Sequence, residues 1–536
     1  MPRTPSTSEA RLQAAAHLYR LDDWGGDDLR LLPGGDLAVA PSWDAGLCVS
    51  LPALMVELHA QGLSPPYLVR FPALLKRRIE QLYGAFSQVA RRRGYGGGME
   101  ALYPIKVNPH RQVVGALAEA GGSFGMGLEV GSRAELQIAL THRPTPDALM
   151  ACHGIKDDAY LHMALLAKRA GMRLCLVIET PSEARRILDL SQRLEIQPML
   201  GVRLAPETMG IGAPGRRSFG LDDAQLQEVI RLLMAGRAMD GLEMVHLHLG
   251  SPFGPLEDLA QAVRLATRQL LTLRNMGAPL TLLDVGGGMG GEEGKLAWNL
   301  TAGRWHRYAE TVMESIQGLC DEAGEAHPRI VTENGRALTA SHAMLLLELC
   351  APERMDAATV TACFSMIGSL PDAWAMGHRF PAMPLVGLDQ PPALRAVLND
   401  LTCDHDGRLT HFDLREEGQA MGLPLPASPS GGRLPLGIFM LGAYQEVLSG
   451  RHNLLGRPHM IDVRGDDRTG WRLHEVIPGD RAGALLREMG YDLSAGLEMG
   501  REGDGPGSGV AMLQDAMRAG LERYAYPEGL RTEDES

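Results

Sequence analysis

The chain has 536 residues, 45% hydrophobic and 22% charged, a composition typical of soluble globular proteins with two or more domains. Acidic residues outnumber basic ones by 65 to 52, and the net charge of −13 argues against binding to nucleic acid or to an anionic membrane. The apolar runs are too short to span a bilayer, no signal pattern opens the chain, and the seven cysteines lack metal-binding or disulfide spacing. We therefore expect a cytoplasmic protein.

Alternating strands and helices dominate the first two thirds of the chain. After a mixed N-terminal segment, a predicted strand at 67–71 leads into a long amphipathic helix at 72–93. Eight strand-like runs with helical patterns between them then follow, at 102–107, 125–130, 148–152, 174–179, 199–204, 244–249, 281–285 and 330–333. Eight such units predict a parallel (β/α)8 barrel of the TIM type, and an open doubly wound sheet is the competing interpretation.

The alternation ends near residue 349, where short apolar runs separated by turn residues begin to predict a β-rich second domain. A Gly-rich stretch and one further helix precede an acidic tail. The expected domains are an N-terminal segment that contributes to the β domain, a barrel, a β-rich domain and a C-terminal helical segment. Their expected bounds are 1–66, 67–349, 350–476 and 477–536.

Polar residues stand at the ends of the predicted barrel strands, where enzymes of this fold hold their catalytic groups. In chain order they are Lys106, Glu129, His153, Glu179, Arg203, His248, Gly286, Gly287, Gly288 and Glu333. Roughly half of them are expected to be structural, His153 and Glu179 first. A lysine at the end of a buried strand is unfavourable unless it is used, and a covalent Schiff base to a carbonyl cofactor would remove its charge.

The glycine-rich loop after the seventh strand can direct several backbone amides at one anion, such as a phosphate. Gly286, Gly288 and Gly291 also match the G-x-G-x-x-G pattern of nucleotide-binding oxidoreductases, but acidic residues follow instead of a helix. After the eighth strand, Gly335 favours an anion-binding role for Arg336, which could otherwise be a solvated arginine at a helix start. A lysine, one phosphate site, an acid and an imidazole together predict pyridoxal phosphate.

A series of long motifs resembles those of the biosynthetic arginine decarboxylases, pyridoxal-phosphate enzymes of the alanine-racemase-like fold group. The motifs are YPIKVN (103–108), GLEVGSRAEL (127–136), HLHLGS (246–251), LDVGGG (283–288), SLPDAWAM (369–376), TCDHDG (402–407) and GAYQEVLSGRHNL (442–454). The resemblance implies a cofactor-binding barrel with a β-rich second domain. It also implies decarboxylation of L-arginine to agmatine, the first step of a route to putrescine and spermidine.

The resemblance also assigns roles to individual residues. Lys106 would link the cofactor covalently, His248 would stack on its ring, and Cys403 would protonate the α-carbon after CO2 leaves. Asp404 and Asp406 would bind the basic end of the substrate, although their segment is also typical of a hairpin turn. The implied cofactor-binding residues are Lys106, Glu129, Glu135, Arg203, His248, Ser251, Gly286, Gly287, Gly288, Glu333, Gly335, Arg336 and Tyr444.

Within the cofactor-binding set, the resemblance implies that Glu129 and Glu135 orient the lysine and that Glu333 pairs with the pyridine nitrogen. Ser251, Arg336 and Tyr444 would hold the phosphate together with the glycines. In this fold group the segment around the catalytic cysteine reaches the barrel of the partner subunit. The resemblance therefore implies a homodimer with shared active sites, a small-molecule substrate, and no nucleic-acid or membrane partner.

The chain departs from the family pattern at several points. The long helical insert between the last barrel strand and the PDAWA segment is missing, so a dimer is expected rather than a larger assembly. Pro109, Pro252 and His405 replace the usual residues beside three motifs. Magnesium is implied only by the family, because no coordination cluster stands out. Two alternatives stay open: a decarboxylase of another basic amino acid, and a non-catalytic relative that binds pyridoxal phosphate and regulates a true decarboxylase.

Overall fold

The computed structural model describes most of the chain and divides it into two compact units, 74–340 and 1–73 with 341–536. The described residues are 7–206, 219–289, 302–349, 359–403, 407–410, 422–427, 433–466, 468, 470–492 and 509–527, except for 42, 45 and 252–254. At 291–292 and 295–296 the structure describes the backbone alone. None of the helices in these ranges combines the length and the apolar character that crossing a membrane requires.

The unit formed by 74–340 is built on a closed barrel of eight parallel strands. The strands are Met99–Pro104, Gly127–Val130, Met150–Cys152, Leu174–Ile178, Met199–Leu204, Leu242–Leu247, Leu282–Asp284 and Arg329–Thr332. Each strand pairs with the next along the chain, and the eighth pairs with the first through the register Ile330–Met99. The predicted (β/α)8 barrel is therefore confirmed, and the open doubly wound sheet is excluded.

One helix precedes the first barrel strand, and helices then alternate with the barrel strands as the sequence predicts. They are Pro72–Arg93, Arg111–Gly121, Arg133–Thr141, Asp158–Arg169, Pro181–Leu194, Asp223–Ala235, Leu256–Asn275, Ala302–Ala323 and the short Gly335–Thr339. A two-stranded hairpin, Gly291–Glu292 with Lys295–Leu296, follows the seventh barrel strand. Several of the helices begin at side-chain caps, as where Asp157 and Asp222 accept hydrogen bonds from the first turn.

Apolar side chains from successive strands fill the interior of the barrel. The buried cluster consists of Leu102, Leu149, Ala151, Cys175, Val177, Met199, Met244, Leu282 and Val331. Gly201 makes room for its neighbours, because a Cβ there would lie 3.3 Å from atoms of Cys175, Val177 and Met244. The interior is thus a packed core, so the polar groups of the barrel are confined to the strand ends and the loops beyond them.

The other unit is rich in β-structure, as predicted. Its six-stranded sheet has the order Ala382–Pro384, Leu434–Ile438, Ala343–Leu349, Tyr67–Arg70, His459–Asp466 and Gly470–Ile477. Two smaller sheets comprise Leu29–Leu31, Leu37–Val39 and Val49–Ser50, and Thr359–Thr361, Leu394–Asn399, Arg408–Leu409 and Leu423–Leu425. Its helices are Thr7–Leu18, Leu21–Trp24, Leu51–Ala60, Met366–Ser369, Pro371–Met376, Gln445–Leu448, Ala482–Glu488 and Gly509–Leu521.

The expected bounds of the barrel domain, 67–349, are too wide at both ends. The strand Tyr67–Arg70 pairs antiparallel with Ala343–Leu349, and both belong to the six-stranded sheet of the β-rich unit. These flanking strands are apolar and buried, like those of the barrel. Their assignment depends on a pairing between segments some 270 residues apart, which local patterns do not reveal.

The buried ion pairs of Arg70 give a test of the six-stranded sheet. The guanidinium, 1% exposed, pairs with Glu446 and lies 3.4 Å from Asp462. Because Arg70→Leu would remove the cation that pairs with two buried carboxylates, we expect it to lower the free energy of unfolding by about 3–5 kcal/mol. Arg193→Leu, which breaks an exposed pair with Asp189, should cost less than about 1 kcal/mol. Equal melting temperatures of the two variants would contradict this assignment.

Candidate active site

Lys106 and Glu129 form an ion pair at the carboxyl ends of the first two barrel strands. Lys106 lies in the 3-10 turn Ile105–Val107 that follows the first strand, and its Nζ donates to Glu129 Oε2 at 2.7 Å. The lysine side chain is 48% exposed, whereas the glutamate side chain is fully buried. The expectation of a buried lysine charge is therefore wrong, because the turn carries the amine beyond the strand. The buried charge belongs to Glu129.

The environment of Glu129 makes the charge of Lys106 important. Burial raises the pKa of Glu129, and the nearby Glu333 raises it further, whereas Lys106 opposes both effects. Glu129 Oε1 is buried and has no hydrogen-bond partner among the described residues, so the ion pair uses one of the two carboxylate oxygens. The carboxylate consequently holds the amine at a fixed place while leaving it accessible.

Glu135 stabilises the loop that follows Glu129. Its Oε2 accepts a hydrogen bond from the backbone N–H of Gly131 at 2.7 Å. Ser132 caps the helix Arg133–Thr141 by accepting from the backbone N–H of Glu135. The resulting reciprocal arrangement fixes the chain just after the second strand, where Glu129 must face the lysine.

Glu333 lies in a cluster of four buried polar side chains at the ends of the third, sixth, seventh and eighth strands. His153 Nε2 lies 2.9 Å from Glu333 Oε1, and His246 Nε2 lies 3.7 Å from Oε2. Asp284 completes the cluster, in which the nearest side-chain nitrogen and oxygen atoms all lie within 4.8 Å of one another. Two of the four groups are imidazoles, and Mg²⁺ prefers oxygen ligands, so the cluster does not suit the magnesium ion that the family implies.

The four groups shift one another's ionisation. Burial raises the pKa of Asp284 well above its usual value, and the neighbouring Glu333 adds to the rise, so the protonated form of Asp284 is favoured. Burial lowers the pKa of His246 well below 6.5, with a further contribution from His153. Burial also disfavours ionised Glu333, but contacts with His153 and His246 outweigh it and hold the pKa of Glu333 well below its usual range. Glu333 is therefore the ionised acid of the cluster.

The glycine loop lies against Glu333 and His248. Gly286 and Gly288 have φ of 66° and 101°, in the region that favours glycine. A Cβ at Gly287 would lie 2.0 Å from the carbonyl oxygen of Glu333. The Gly287 N–H donates to Nδ1 of His248 at 3.3 Å, and burial lowers the pKa of that histidine to about 4. The imidazole of His248 is therefore neutral at neutral pH.

The segment after the glycine loop does not meet the requirements of a dinucleotide-binding fingerprint. The hairpin that begins at Gly291 follows the loop, and the next helix in the described part of the chain begins at Ala302. That fingerprint requires a helix to start at the glycines and to direct its N-terminus at a pyrophosphate. The oxidoreductase interpretation is therefore excluded, and a site for a single anion remains.

The eighth strand is followed at once by Gly335 and Arg336, which both lie at the barrel end. Gly335 donates to the carbonyl of Glu333 at 2.8 Å, and a Cβ at Gly335 would lie 2.5 Å from Val107. Arg336 is 7% exposed, so it is not the solvated arginine that the alternative interpretation required. A buried cation therefore lies in the short helix Gly335–Thr339 that follows the eighth strand.

Arg203 and Glu179 form an ion pair at the ends of the fourth and fifth strands. Arg203 Nη1 lies 3.2 Å from Glu179 Oε2, and the guanidinium carbon lies 5.5 Å from the centre of the Phe219 ring. Glu179 also accepts from the backbone N–H of Gly154 at 2.8 Å. Glu179 therefore has structural partners, as expected, and Arg203 is held by it. Ser251 lies beyond His248 in the loop after the sixth strand.

In the β-rich unit, Tyr444 has an unusual backbone conformation, and Cys403 contacts a second residue of this kind, Asn453. Cys403 Sγ accepts a hydrogen bond from Asn453 Nδ2 at 3.3 Å. Tyr444, Asn453 and Leu454 have φ of 69°, 53° and 54°, a strained range for residues with a side chain. Strain of this kind is concentrated at functional segments. Asp404, His405 and Asp406 lie outside the described residues.

Sequence reasoning missed the contributions of His246 and Asp284 and treated His153 as structural. A signal for His246 was available: residues two apart on a strand point the same way, so His246 shares the inward direction of His248. Asp284 ends the seventh strand, but its carboxylate was overlooked beside the conspicuous glycines. The contact of His153 with Glu333 joins the third strand to the eighth and required the closed barrel to become visible.

Comparisons with known proteins agree with this geometry. Residues 80–340 match the family model described as pyridoxal-dependent decarboxylase, pyridoxal binding domain. A biosynthetic arginine decarboxylase of Aeromonas hydrophila subsp. hydrophila is 31% identical over 95% of this chain and 98% of its own length. One of Xanthomonas campestris pv. campestris is 30% identical over 97% of this chain and 99% of its own.

The fold also matches a solved member. The crystal structure of the biosynthetic arginine decarboxylase of Campylobacter jejuni superimposes with a TM-score of 0.84 at 24% sequence identity, over 96% of this chain and all of that one. Together with the sequence identity over nearly complete lengths, this confirms the resemblance seen in the motifs. The chain belongs to the family of biosynthetic arginine decarboxylases.

Proposed function

We propose that the protein decarboxylates L-arginine to agmatine and CO2 with pyridoxal phosphate, as the first step of a polyamine route. The observation that carries the proposal is the accessible Lys106 amine, held at 2.7 Å by the buried Glu129. A second buried acid, Glu333, follows the eighth strand, and His248 lies within electrostatic range of both Lys106 and Glu333. An accessible amine and a separate ionised acid are the two anchor points that a pyridoxal ring needs.

The described residues fit this cofactor. Glu333 Oε1 is buried and lies 2.9 Å from His153 Nε2 without an aligned hydrogen bond, so the carboxylate keeps acceptor capacity for the N–H of a pyridinium ring. Gly286, Gly287 and Gly288 would hold the phosphate through backbone amides, because a Cβ at Gly287 has no room. Arg336 would add a buried guanidinium. The family resemblance assigns a phosphate contact to the hydroxyls of Ser251 and Tyr444 as well.

Pyridoxal phosphate, when bound, supplies an electron sink that stabilises the negative charge left on the α-carbon as CO2 departs. Lys106 would attach the cofactor covalently, while Glu129 orients the lysine amine and Glu135 fixes the loop behind it. Glu333 would keep the ring nitrogen protonated. Neutral His248 would stack on the ring without adding a positive charge. Arg203, paired with Glu179, would border the same site.

Cys403 is proposed to protonate the α-carbon once CO2 has left. The Asn453 amide orients its sulfur, next to a cavity of about 650 Å³ whose walls include Thr402 and Asn453. Asp404 and Asp406 are proposed to bind the guanidinium of arginine through paired, charged hydrogen bonds. Because the family resemblance assigns this segment to the partner's barrel, we infer a homodimer with shared active sites.

Release of labelled CO2 tests the reaction and the substrate together. The purified protein with pyridoxal phosphate should release CO2 from carboxyl-labelled arginine, and not from ornithine, lysine or diaminopimelate. Lys106→Arg keeps a cation beside Glu129 but removes the attachment point, so it should abolish release without unfolding the barrel. Lys106→Ala should abolish release as well.

Two results would contradict this proposal in different ways. Visible cofactor absorbance without release from any of the four amino acids would reject the enzyme and favour a binding-only relative. Release from ornithine, lysine or diaminopimelate would preserve the mechanism but reject arginine as the substrate. The second result would place the error in the segment of Asp404 and Asp406.

Replacement of Gly287 tests the phosphate site. The side chain of Gly287→Ala would collide with the Glu333 carbonyl at 2.0 Å and displace the loop. We expect pyridoxal phosphate to bind at least about tenfold more weakly, which corresponds to about 1.4 kcal/mol, while binding of unphosphorylated pyridoxal changes little. Both affinities are measured by absorbance titration of the cofactor-free protein. Gly115→Ala, where a Cβ meets nothing within 4 Å, is the control. Equal losses for the two ligands would contradict the assignment.

The low pKa of His248 predicts a pH-dependent stability. Its pKa is about 4 in the folded protein and about 6.5 when unfolded, so protons favour the unfolded chain. The contribution of His248 to the free energy of unfolding is fully present above pH 6.5 and is lost as the pH falls toward 4. The loss should amount to about 2 kcal/mol between pH 7 and pH 4.5. Melting curves of cofactor-free His248→Gln should show a smaller pH dependence, whereas the exposed-site variant His162→Gln should behave as wild type. Identical slopes for all three proteins would refute the assignment.

A further inference from the structure

We propose that His153 is a positioning residue which, together with His246, holds the Glu333 carboxylate ionised and oriented toward the ring nitrogen of the cofactor. This inference rests on the proposed function, because it concerns the group that Glu333 would bind. It assigns a role in the reaction to a histidine that the sequence analysis expected to be structural.

Each oxygen of the Glu333 carboxylate faces an imidazole. His153 Nε2 lies 2.9 Å from Oε1, and His246 Nε2 lies 3.7 Å from Oε2. The two rings pack against each other with centroids 4.4 Å apart and planes inclined by 57°. The position of one ring therefore restricts the other, and the pair confines the carboxylate between them.

The two histidines have no competing use among the described residues. Their side chains are 6% and 1% exposed, and none of their four ring nitrogens makes an aligned hydrogen bond. A buried polar ring without partners is costly, so the contact with Glu333 is the interaction that compensates for burying His153 and His246. A purely structural histidine would instead be satisfied by backbone groups, as Glu179 is by Gly154.

Asp284 explains why Glu333 needs this support. Asp284 Oδ1 accepts from the Gly286 N–H at 2.8 Å, and its Oδ2 is buried without a donor, as a protonated carboxyl oxygen facing Glu333 would be. Two adjacent buried carboxyl groups hold one proton between them, because both cannot ionise cheaply. The imidazoles beside Glu333 decide that Asp284 keeps the proton. A protonated Glu333 could not stabilise a pyridinium ring.

A bound metal is the competing explanation for the same four residues. Two imidazoles and two carboxylates within 4.8 Å could surround a transition metal. Metal binding would require Asp284 and Glu333 both to be deprotonated and would occupy Glu333. The proposal therefore predicts that the purified protein contains no stoichiometric metal in this cluster.

The test measures the protonation of the cofactor's ring nitrogen directly. Cofactor-free wild type, His153→Asn and His153→Leu are loaded with pyridoxal phosphate labelled with 15N in the ring, and its NMR shift is recorded. We expect a protonated nitrogen in the wild type and progressive loss of protonation from His153→Asn to His153→Leu. Pyridoxal phosphate should bind His153→Leu roughly tenfold more weakly, as loss of one charged contact implies. His162→Leu, on the exposed face of a nearby helix, should match the wild type in both measurements.

A double-mutant cycle separates positioning from general packing. In the Glu333→Gln background the carboxylate is gone, so His153→Leu should weaken cofactor binding no further. If His153 only supports the barrel, it should weaken binding equally in both backgrounds. If His153→Leu does not fold, the same cycle is measured with His153→Asn, for which we expect a smaller loss of cofactor affinity.

Three results would overturn the inference: an unchanged ring-nitrogen shift in the His153 variants, additive losses in the cycle, or one equivalent of metal that His153→Leu removes. None of these measurements needs the amino-acid substrate. A wild type that binds the cofactor with a protonated ring but releases no CO2 from arginine would reject the proposed function alone. A wild type that releases CO2, with unchanged nitrogen shifts in the variants, would reject the role of His153 alone.

Discussion

The ion pair of Lys106 and Glu129 is the interaction on which the account of this site depends. A fully buried carboxylate is costly unless a cation compensates it, and Glu129 pairs with an amine whose side chain remains 48% exposed. The barrel thus buries the acid and leaves the nucleophile open. Lys156 provides the contrast: it is 1% exposed and bonds to Glu183 and to the carbonyls of Gly154 and Val177. All three ammonium hydrogens of Lys156 are used, so that lysine is structural.

The remaining charges at the barrel end follow from the same constraint. Glu129, Asp284 and Glu333 are three buried acids close enough to disfavour one another's ionisation. Lys106 compensates the first, the raised pKa of Asp284 favours its neutral form, and the imidazoles of His153 and His246 lower the pKa of Glu333. The unfavourable burial of each of the three carboxyl groups is therefore offset in a different way. The arrangement leaves one accessible amine and one ionised carboxylate as the groups available to a cofactor, which is the division of roles that pyridoxal chemistry requires.

Much of the fold could be predicted because its signals are local. The helix Pro72–Arg93 and the strand Met199–Leu204 have the predicted bounds, since each is continuous in pattern and ends at a clear change of composition. All eight barrel strands lie where strand-like runs were expected, with shifts of up to three residues at their starts and ends. The alternation of strands and helices specifies a barrel because parallel neighbours require a crossover between them.

The wrong predictions from the sequence share one physical cause. A contact between residues that are far apart in the sequence leaves no pattern in either segment. The strand Tyr67–Arg70 was assigned to the barrel because its apolar pattern does not identify Ala343–Leu349 as its partner. His153 was classed as structural because its partner Glu333 is 180 residues away, in a strand brought close only by barrel closure. Lys106 was taken as buried because its displacement by one turn depends on the backbone of Ile105–Val107. The residue types were enough to predict the chemistry of the site, whereas the contacts between these residues became known only from the structure.

The central claim is that the accessible Lys106, and no other lysine, attaches the cofactor. Borohydride reduction of the protein after incubation with pyridoxal phosphate fixes the attachment, and mass spectrometry of the digested protein locates it. The account predicts one modified lysine per chain, Lys106, and no modification in the Lys106→Arg variant. Modification of Lys156, or an equal distribution of the label over Lys106, the exposed Lys76 and the half-buried Lys168, would contradict this assignment.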